Sequence, residues 1–468
     1  MSSKDLLVKE ESGWLKVKND ELKKVDNFAD EYIAYLNNNK TERENVNFIK
    51  KTAEDNGFVS LEEFMRSDAK SNKIYYNNRN KSIFLAVLGD DDIENGFNII
   101  SSHIDSPRLD LKQNPVFEDT GMAFLKTHYY GGIKKFHWLN IPLAIHGRVI
   151  KLNGESVDIV IGEDENDPVV VIPDLLPHLS RKLSDKKIAE AYKGEDLNIL
   201  IGNIPASVAD KEIKDKVKYN ILKLLNDKYG LVESDFQSAE LEIVPAIKAR
   251  YAGLDSSFIA GYGHDDRSSS FALLKSIIKT DKVNRNVLAV FVDKEEIGSE
   301  GNSSIQSRAL EFFISEIIEK KKNSFNEKML RKSLYNSYAL SADVDAAFDP
   351  NHKEVFDVRN TGKIGNGVIL TKYTGHGGKY DANDANAEYV GKVRKLFNDN
   401  NVIFQFGSLG KVDEGGGGTI AKYLANYGME IIDCGTPVLG MHSPYEIISK
   451  LDLYQTFKAF ESFFNKFN

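Results

Sequence analysis

At 468 residues, 41% hydrophobic and 28% charged, the chain has a globular composition and is too long for one ordinary core; about two or three domains are expected. The net charge of −9 argues against nucleic acid as a partner, since that binding needs a basic face. Cys434 is the only cysteine, so no intrachain disulfide can form, which suits a reducing cytosol and leaves Cys434 the role of a small core residue.

The first residues, Met1-Ser-Ser-Lys-Asp-Leu-Leu-Val-Lys-Glu-Glu, lack the apolar core of a secretory signal. No later run approaches the roughly 20 apolar residues needed to span a bilayer, so a cytoplasmic protein with no membrane partner is expected. Leu22, Val25, Phe28, Ala29, Tyr32, Ile33 and Leu36 recur at helical spacing, giving a helix with one inward face. Thr41-Glu-Arg-Glu44 is a capping-box pattern, and Gly57 closes the helix it opens. Ser82-Ile-Phe-Leu-Ala-Val-Leu88, followed by Gly89-Asp-Asp-Asp, reads as a buried strand and turn. The next strand, Phe97-Asn-Ile-Ile-Ser-Ser-His103, ends on an imidazole, with Asp105 two residues on. Residues i and i+2 of an extended segment share a face, so the Asp105 carboxylate is placed to hold the His103 ring in one tautomer.

Between about Asn114 and Glu242 the pattern changes. Short strands are expected at Ala144–Ile150, Val157–Ile161 and Val169–Ile172. A charged stretch at 181–194 follows, then a helix with Ile213, Val217, Ile221 and Leu224 along one face. This block carries none of the acidic clusters and interrupts the α/β pattern, so it reads as an inserted domain. The α/β pattern resumes at Leu241-Glu-Ile-Val-Pro and reaches Gly-His-Asp265-Asp266-Arg267, a loop feeding a helix through a serine run. Val287–Val292 is apolar throughout, as in a strand buried on both faces, and it runs into Asp-Lys-Glu295-Glu296-Ile-Gly298. Adjacent carboxylates repel and are costly unless a cation lies nearby or one acid keeps its proton. Open α/β sheets bind their ligands at this carboxyl edge.

Arg331 and the lysines around 320–332 read as a solvated connector before Leu340-Ser-Ala-Asp343-Val-Asp345, another apolar run ending in acids. Gly375-His-Gly-Gly-Lys-Tyr380 is a polar loop ahead of a helix. Glu414-Gly-Gly-Gly-Gly-Thr419 fits either a linker or a glycine-rich approach to a helix N-terminus. Met441-His442-Ser precedes a last amphipathic helix with Leu453, Phe457, Phe460 and Phe464 on one face.

His103, Asp265, Glu296, Asp343 and His442 thus fall at strand ends or adjoining turns. Two imidazoles and three carboxylates suit a pair of divalent ions of the zinc class, one carboxylate bridging. Glu295 then stands beside a ligand, free to take a proton from the activated water of a two-metal hydrolase. Zinc is the default from the ligand types, and such sites also accept cobalt or manganese.

These stretches resemble the M18 metallo-aminopeptidases, the aspartyl and vacuolar aminopeptidase group: Ser-His103-Ile-Asp105-Ser-Pro, Asp265-Asp-Arg-Ser-Ser-Ser-Phe, Asp-Lys-Glu295-Glu296-Ile-Gly-Ser, Ser-Ala-Asp343 and Met-His442-Ser. Tyr380-Asp-Ala-Asn and Gly417-Gly-Thr-Ile also fit, and the matches run in family order from about residue 97 to the C-terminus. The resemblance implies an α/β fold: a mixed-sheet di-zinc catalytic domain from residues 1–113 and 243–468, with an inserted β-rich dimerisation domain at 114–242. It implies one metal on His103, Asp265 and Asp343 and a second on Asp265, Glu296 and His442, with Asp105 orienting His103 and Glu295 as general base. Release of the N-terminal residue from peptides and a homo-oligomer, a tetrahedral dodecamer built from dimers, are also implied. His178, in Ile172-Pro-Asp-Leu-Leu-Pro-His178-Leu, matches a histidine that reaches a neighbouring subunit's site.

The chain departs from the aspartyl enzymes at Asp265-Asp266-Arg267, where they carry Asp-Asn-Leu, and in the loop at 374–379. Lys372 is the nearest basic residue for meeting an acidic substrate side chain, and Tyr380 is a further substrate-binding candidate. The competing classes are a two-metal carboxypeptidase or deacylase, which needs a cation for the substrate carboxylate, and a non-catalytic metal-bound scaffold. Only Arg108 and Arg267 fall inside the metal motifs.

Overall fold

The computed structural model describes residues 6–8, 11–66 and 71–467. Chain contacts divide it into two units. The first takes in residues 1–105, 249–441 and 446–468, and the second residues 106–248 and 442–445.

A nine-stranded mixed sheet organises the first unit. Its order is Val59–Ser60, Lys73–Asn78, Ser82–Val87, Asn286–Val292, Phe97–His103, Tyr338–Ser341, Glu430–Gly435, Val368–Thr371 and Phe404–Gly407. Alternation along the strands builds two cores, one on each face. Ile83, Leu85, Val287, Ala289 and Phe291 join the core that also takes Phe28, Tyr32, Phe271, Phe457 and Phe460 from helices. Phe84, Ala86, Leu288, Val290 and Val292 point the other way, into the core with Phe313, Ile314 and Ile317. A five-stranded sheet adjoins in the same unit, ordered Arg250–Ala252, Phe258–Gly261, Glu446–Ser449, Pro437–Leu439 and Asp345–Ala346.

The first helices follow their sequence signals. Val25, Phe28, Ala29, Tyr32 and Leu36 line the buried face of Asn19–Asn38. In Glu42–Asp55 the Thr41 hydroxyl accepts from the Glu44 N–H, the Glu44 carboxylate accepts from the Thr41 N–H, and Gly57 follows with φ 82°. The expected connector at 320–332 is instead two helices, Ala309–Lys322 and Glu327–Tyr335. Their lysine-rich outer faces mask a narrow apolar stripe, Ile314, Ile317, Ile318, Leu330 and Leu334, that packs on the sheet. The Asn326 side chain caps the second by accepting from the Met329 N–H at 3.1 Å. Cys434 is buried in a central strand, and burial pushes its thiol well above the ordinary range, so it acts as a core residue.

The second unit is a six-stranded antiparallel sheet, ordered Ser156–Ile161, Leu143–Ile150, Ala239–Pro245, Arg108–Asp119, Met122–Tyr130 and Ile199–Gly202. The strand containing Leu241–Pro245, where the α/β pattern is expected to resume, pairs inside this sheet between Leu143–Ile150 and Arg108–Asp119. Val169–Ile172 forms only isolated bridges, Val170 with Leu143 and Val171 with Leu200. Pro168 and Pro173 flank it and offer no N–H to a longer ladder. Lys216–Tyr229 packs on the sheet but starts after Ile213, where the Glu118 carboxylate accepts the N–H groups of Val217 at 2.8 Å and Lys218 at 3.0 Å.

Candidate metal centre

Three neighbouring strands of the first unit, Asn286–Val292, Phe97–His103 and Tyr338–Ser341, run parallel. Their register sets Val292 opposite His103 and Ser341 opposite Ser101, so the segments that leave them start at one edge. That edge gathers His103, the Glu295–Glu296 turn and Asp343. Asp265 comes from just beyond Phe258–Gly261, at the start of the helix His264–Ile278, and its peptide bond to Asp266 is cis.

The His103 ring is buried, with Nε2 3.1 Å from Asp265 Oδ1 and 3.7 Å from Asp343 Oδ1. Its Nδ1–H donates to the Asp105 carbonyl oxygen at 3.0 Å, and the Asp105 carboxylate lies 3.4 Å from the same nitrogen. That partner on Nδ1 leaves the Nε2 lone pair facing the carboxylate side, where it can bind a cation. Asp105 also fastens the acidic turn: its two carboxylate oxygens accept the N–H groups of Glu295 at 3.2 Å and Glu296 at 3.3 Å.

Two three-residue groups offer ligand atoms that all lie within 4.8 Å of one another: His103, Glu295 and Asp343, and His103, Asp265 and Glu296. One imidazole among four carboxylates at the end of a buried strand carries an excess of negative charge that only cations or protons relieve. Burial works to lower the His103 pKa, but the Asp105, Asp265 and Asp343 carboxylates overcome it and hold the imidazole well above its ordinary value. Glu295 is pushed up to about 8, first by burial; His103 works against this, and Asp343, Asp105 and Asp265 add to it. Asp266 is also held well above its ordinary value, again chiefly through burial. Protons and divalent cations are alternative ways of neutralising this donor set, and its mix of imidazole and carboxylate fits cations of the zinc class.

His442 belongs to the second unit and is in neither three-residue group; its φ is 63° and its Nδ1–H donates to the Gly132 carbonyl at 2.9 Å. His178 is also in the second unit, exposed on the short turn Pro177–Leu179. Lys372 follows the strand Val368–Thr371 and lies 3.4 Å from Asp384, while Tyr380, 72% exposed, ends the polar loop that begins at Gly375. Lys372 lines a cleft of about 300 Å³ together with Tyr373, Lys379, Phe406 and Lys411. The helix after the glycine run, Ala421–Ala425, has only 5 residues, and Thr419 donates to Asp433 at 2.7 Å.

Arg267 is wholly buried and donates to backbone carbonyls, those of Gly263 at 3.2 Å, Asn39 at 2.5 Å and Tyr262. Gly263, at φ 74°, leaves room for it: a Cβ there would stand 2.0 Å from Arg267 Nη2. The serine run is structural too, with Ser270 donating to the His103 carbonyl at 2.8 Å. Sequence reasoning missed Glu446, whose carboxylate accepts the Asp265 N–H at 3.1 Å. Its position in the strand Glu446–Ser449, just after Met-His442-Ser, was the available signal.

Comparison with known proteins yields consistent findings. The family model described as aminopeptidase I zinc metalloprotease (M18) matches residues 35–464. A probable M18 family aminopeptidase 1 of Clostridium acetobutylicum is 46% identical over 464 residues, covering 98% of this chain and 99% of that protein. The crystal structure of an M18-family aminopeptidase from Thermotoga maritima superimposes with a TM-score of 0.94 at 45% identity, over 98% of this chain and 100% of that one. The S. cerevisiae mApe1 dodecamer, 24% identical with a TM-score of 0.72 over 93% of this chain and 96% of that one, shares the fold.

Proposed function

The chain belongs to the aminopeptidase I zinc metalloprotease (M18) family and is a metal-dependent aminopeptidase, and we propose how its residues divide the work. His103, Asp265, Asp343 and Glu296 would hold two divalent cations, Asp265 being shared between them and His442 adding a further ligand. Zinc is the proposed metal. When bound, the pair supplies Lewis acidity, polarising the scissile carbonyl and making water a nucleophile near neutral pH.

Glu295 is the general base. It takes the proton of the attacking water and returns it to the leaving amine. The observation that carries this reading is the pair of three-donor groups around His103, with Glu295 beside Glu296 on a turn whose amides bond to Asp105. A base must hold its carboxylate within hydrogen-bond reach of the reacting atoms, and a Glu295 carboxylate oxygen lies within 4.8 Å of the His103 and Asp343 donor atoms. Asp105 keeps His103 in the tautomer that presents Nε2.

His178, Lys372 and Tyr380 are proposed substrate-binding residues, with the cleft lined by Lys372 taking part of the peptide. Residues 114–242 are proposed as a dimerisation domain and the rest as the catalytic domain. A dodecamer built from dimers is the proposed assembly, and a fold relative is described as a dodecamer. The single buried thiol suits a cytoplasmic location. Among the described residues no helix is long and apolar enough to cross a membrane.

The test is hydrolysis of X-Ala-Ala peptides with acidic, neutral and basic first residues, by metal-loaded enzyme, chelated enzyme and Glu295→Gln. Release of the first residue is expected, abolished by chelation and reduced about 10²–10⁴-fold in kcat by the substitution. Release from the C-terminus would establish a carboxypeptidase instead. An unchanged kcat in Glu295→Gln would remove Glu295 as base.

A further inference from the structure

Glu295 and Glu296 sit on a turn that leaves a buried strand through an uncommon conformation. Lys294 is left-handed, with φ 69°, a region that few residues with a side chain adopt. Its half-buried side chain curls back toward the end of the strand. Nζ donates to Asp293 Oδ2 at 2.6 Å and to Ser303 Oγ at 3.1 Å. Ser303 Oγ donates to the same Asp293 oxygen at 2.7 Å, closing a three-membered ring of polar groups. The main chain repeats the closure, the Asp293 N–H donating to the Ser303 carbonyl at 3.3 Å and the Ser299 N–H to the Lys294 carbonyl at 2.7 Å. Gly301, at φ 108°, leaves the lysine stem its place, since a Cβ there would come within 3.0 Å of Lys294 Cδ. Asp293 and Ser303 are each 1% exposed, so the carboxylate and the hydroxyl are shielded from water, while the lysine that closes the ring keeps 28% of its side chain exposed.

We propose that Asp293, Lys294 and Ser303 form a staple that positions the acidic turn, setting where the Glu295 and Glu296 carboxylates stand relative to His103 and Asp343. The three are positioning residues: they act through the turn and touch neither substrate nor reacting atoms. Asp105 holds the amides of the two glutamates from one side. The staple fixes the residue before them and closes the loop after them. Gln306, donating to the Ser299 carbonyl at 3.0 Å, and Tyr423, donating to the Gly298 carbonyl at 3.1 Å, hold the outer part of the same loop. The proposal rests on the ligand and base assignments made above for Glu296 and Glu295.

Two substitutions test it in the full-length protein. Lys294→Met keeps the stem over Gly301 and removes the ammonium. Ser303→Ala removes one hydroxyl. Affinity for Zn²⁺ alone is measured by competition with a chromophoric chelator, and kcat and KM are measured on a tripeptide substrate. Each variant is expected to lose about 10-fold in Zn²⁺ affinity, the scale seen when groups behind a metal ligand are removed. A similar fall in kcat is expected, with KM within about twofold of wild type, because the carboxylates are displaced rather than the peptide. Zn²⁺ affinity within about twofold of wild type in both variants would overturn the staple. Glu295→Gln is run beside them. If it keeps wild-type kcat while the two variants lose Zn²⁺ affinity, the base assignment fails and the staple stands.

Discussion

Arg267 follows Asp265 and Asp266 directly, and its surroundings explain what a cation does beside two aspartates at a metal edge. Three of its N–H groups are spent on the carbonyls of Tyr262, Gly263 and Asn39, and it is wholly buried. It ties the first turn of His264–Ile278 to the end of Asn19–Asn38, and so fixes the start of the segment that delivers Asp265. A guanidinium engaged in this way is not presented to a substrate carboxylate, which counts against the carboxypeptidase alternative. Arg267→Met should destabilise the protein by about 3 kcal/mol, since it leaves buried carbonyls without donors. Arg267→Lys should not restore stability, because one ammonium cannot reproduce a planar fork that serves carbonyls in different directions. Urea unfolding midpoints measure both. KM for peptides at a temperature where the variants remain folded should be unchanged; a large rise in KM would mean that Arg267 reads substrate after all.

Asp452 shows how a helix can carry a loop. It lies in the first turn of Lys450–Lys466, wholly buried, and its two oxygens accept the N–H groups of Gly365 and Gly367, both at 2.6 Å. Burial pushes its pKa up from 3.8 to about 8, while the two N–H donors work the other way. The folded state therefore binds a proton more tightly than the unfolded chain does. This stabilisation is full below about pH 4 and is lost as pH rises through about 8. The slope is at most about 1.4 kcal/mol per pH unit. Asp452→Asn cannot lose that proton, so its melting temperature should fall less than the wild type's between pH 5 and pH 8. Equal slopes would show that Asp452 is ionised in the fold across that window. Elements of this kind divide the legible from the illegible. The strands Ser82–Val87, Phe97–His103 and Asn286–Val292 were readable because burial on both faces leaves an unbroken apolar run. The acids at their ends were readable for the same local reason. Which sheet Ala239–Pro245 joins was not, because an apolar strand does not name its partner. The support that Glu446 gives Asp265 spans 181 residues, so the nearness of Glu446 to His442 marks it in the chain without naming its partner. The helices Ala309–Lys322 and Glu327–Tyr335 were hidden by their own solvated lysines.

At the scale of the whole chain, the metal centre is a link between distant sequence positions. His103, Asp265, Glu295, Glu296 and Asp343 leave separate segments and meet only when the first unit is folded. The unfolded chain has no comparable group of donors, so cations bind the native state almost alone and stabilise it by mass action. At a free metal concentration a thousandfold above Kd the gain is about 4 kcal/mol for one site. Without cations the cluster must take up protons or bear the repulsion of its carboxylates, and the strand ends that carry them should loosen first. Chelation is therefore expected to lower the melting temperature, and added Zn²⁺ to restore it. Sodium chloride at the same ionic strength should not, because screening falls short at buried charges. Hydrogen exchange locates the effect. Amides of Asn286–Val292 and Phe97–His103 should lose protection on chelation, while those of Met122–Tyr130 should keep theirs, since among the described residues both three-donor groups lie in the first unit. Equal loss in both places would mean that the cations stabilise something other than this edge of the sheet.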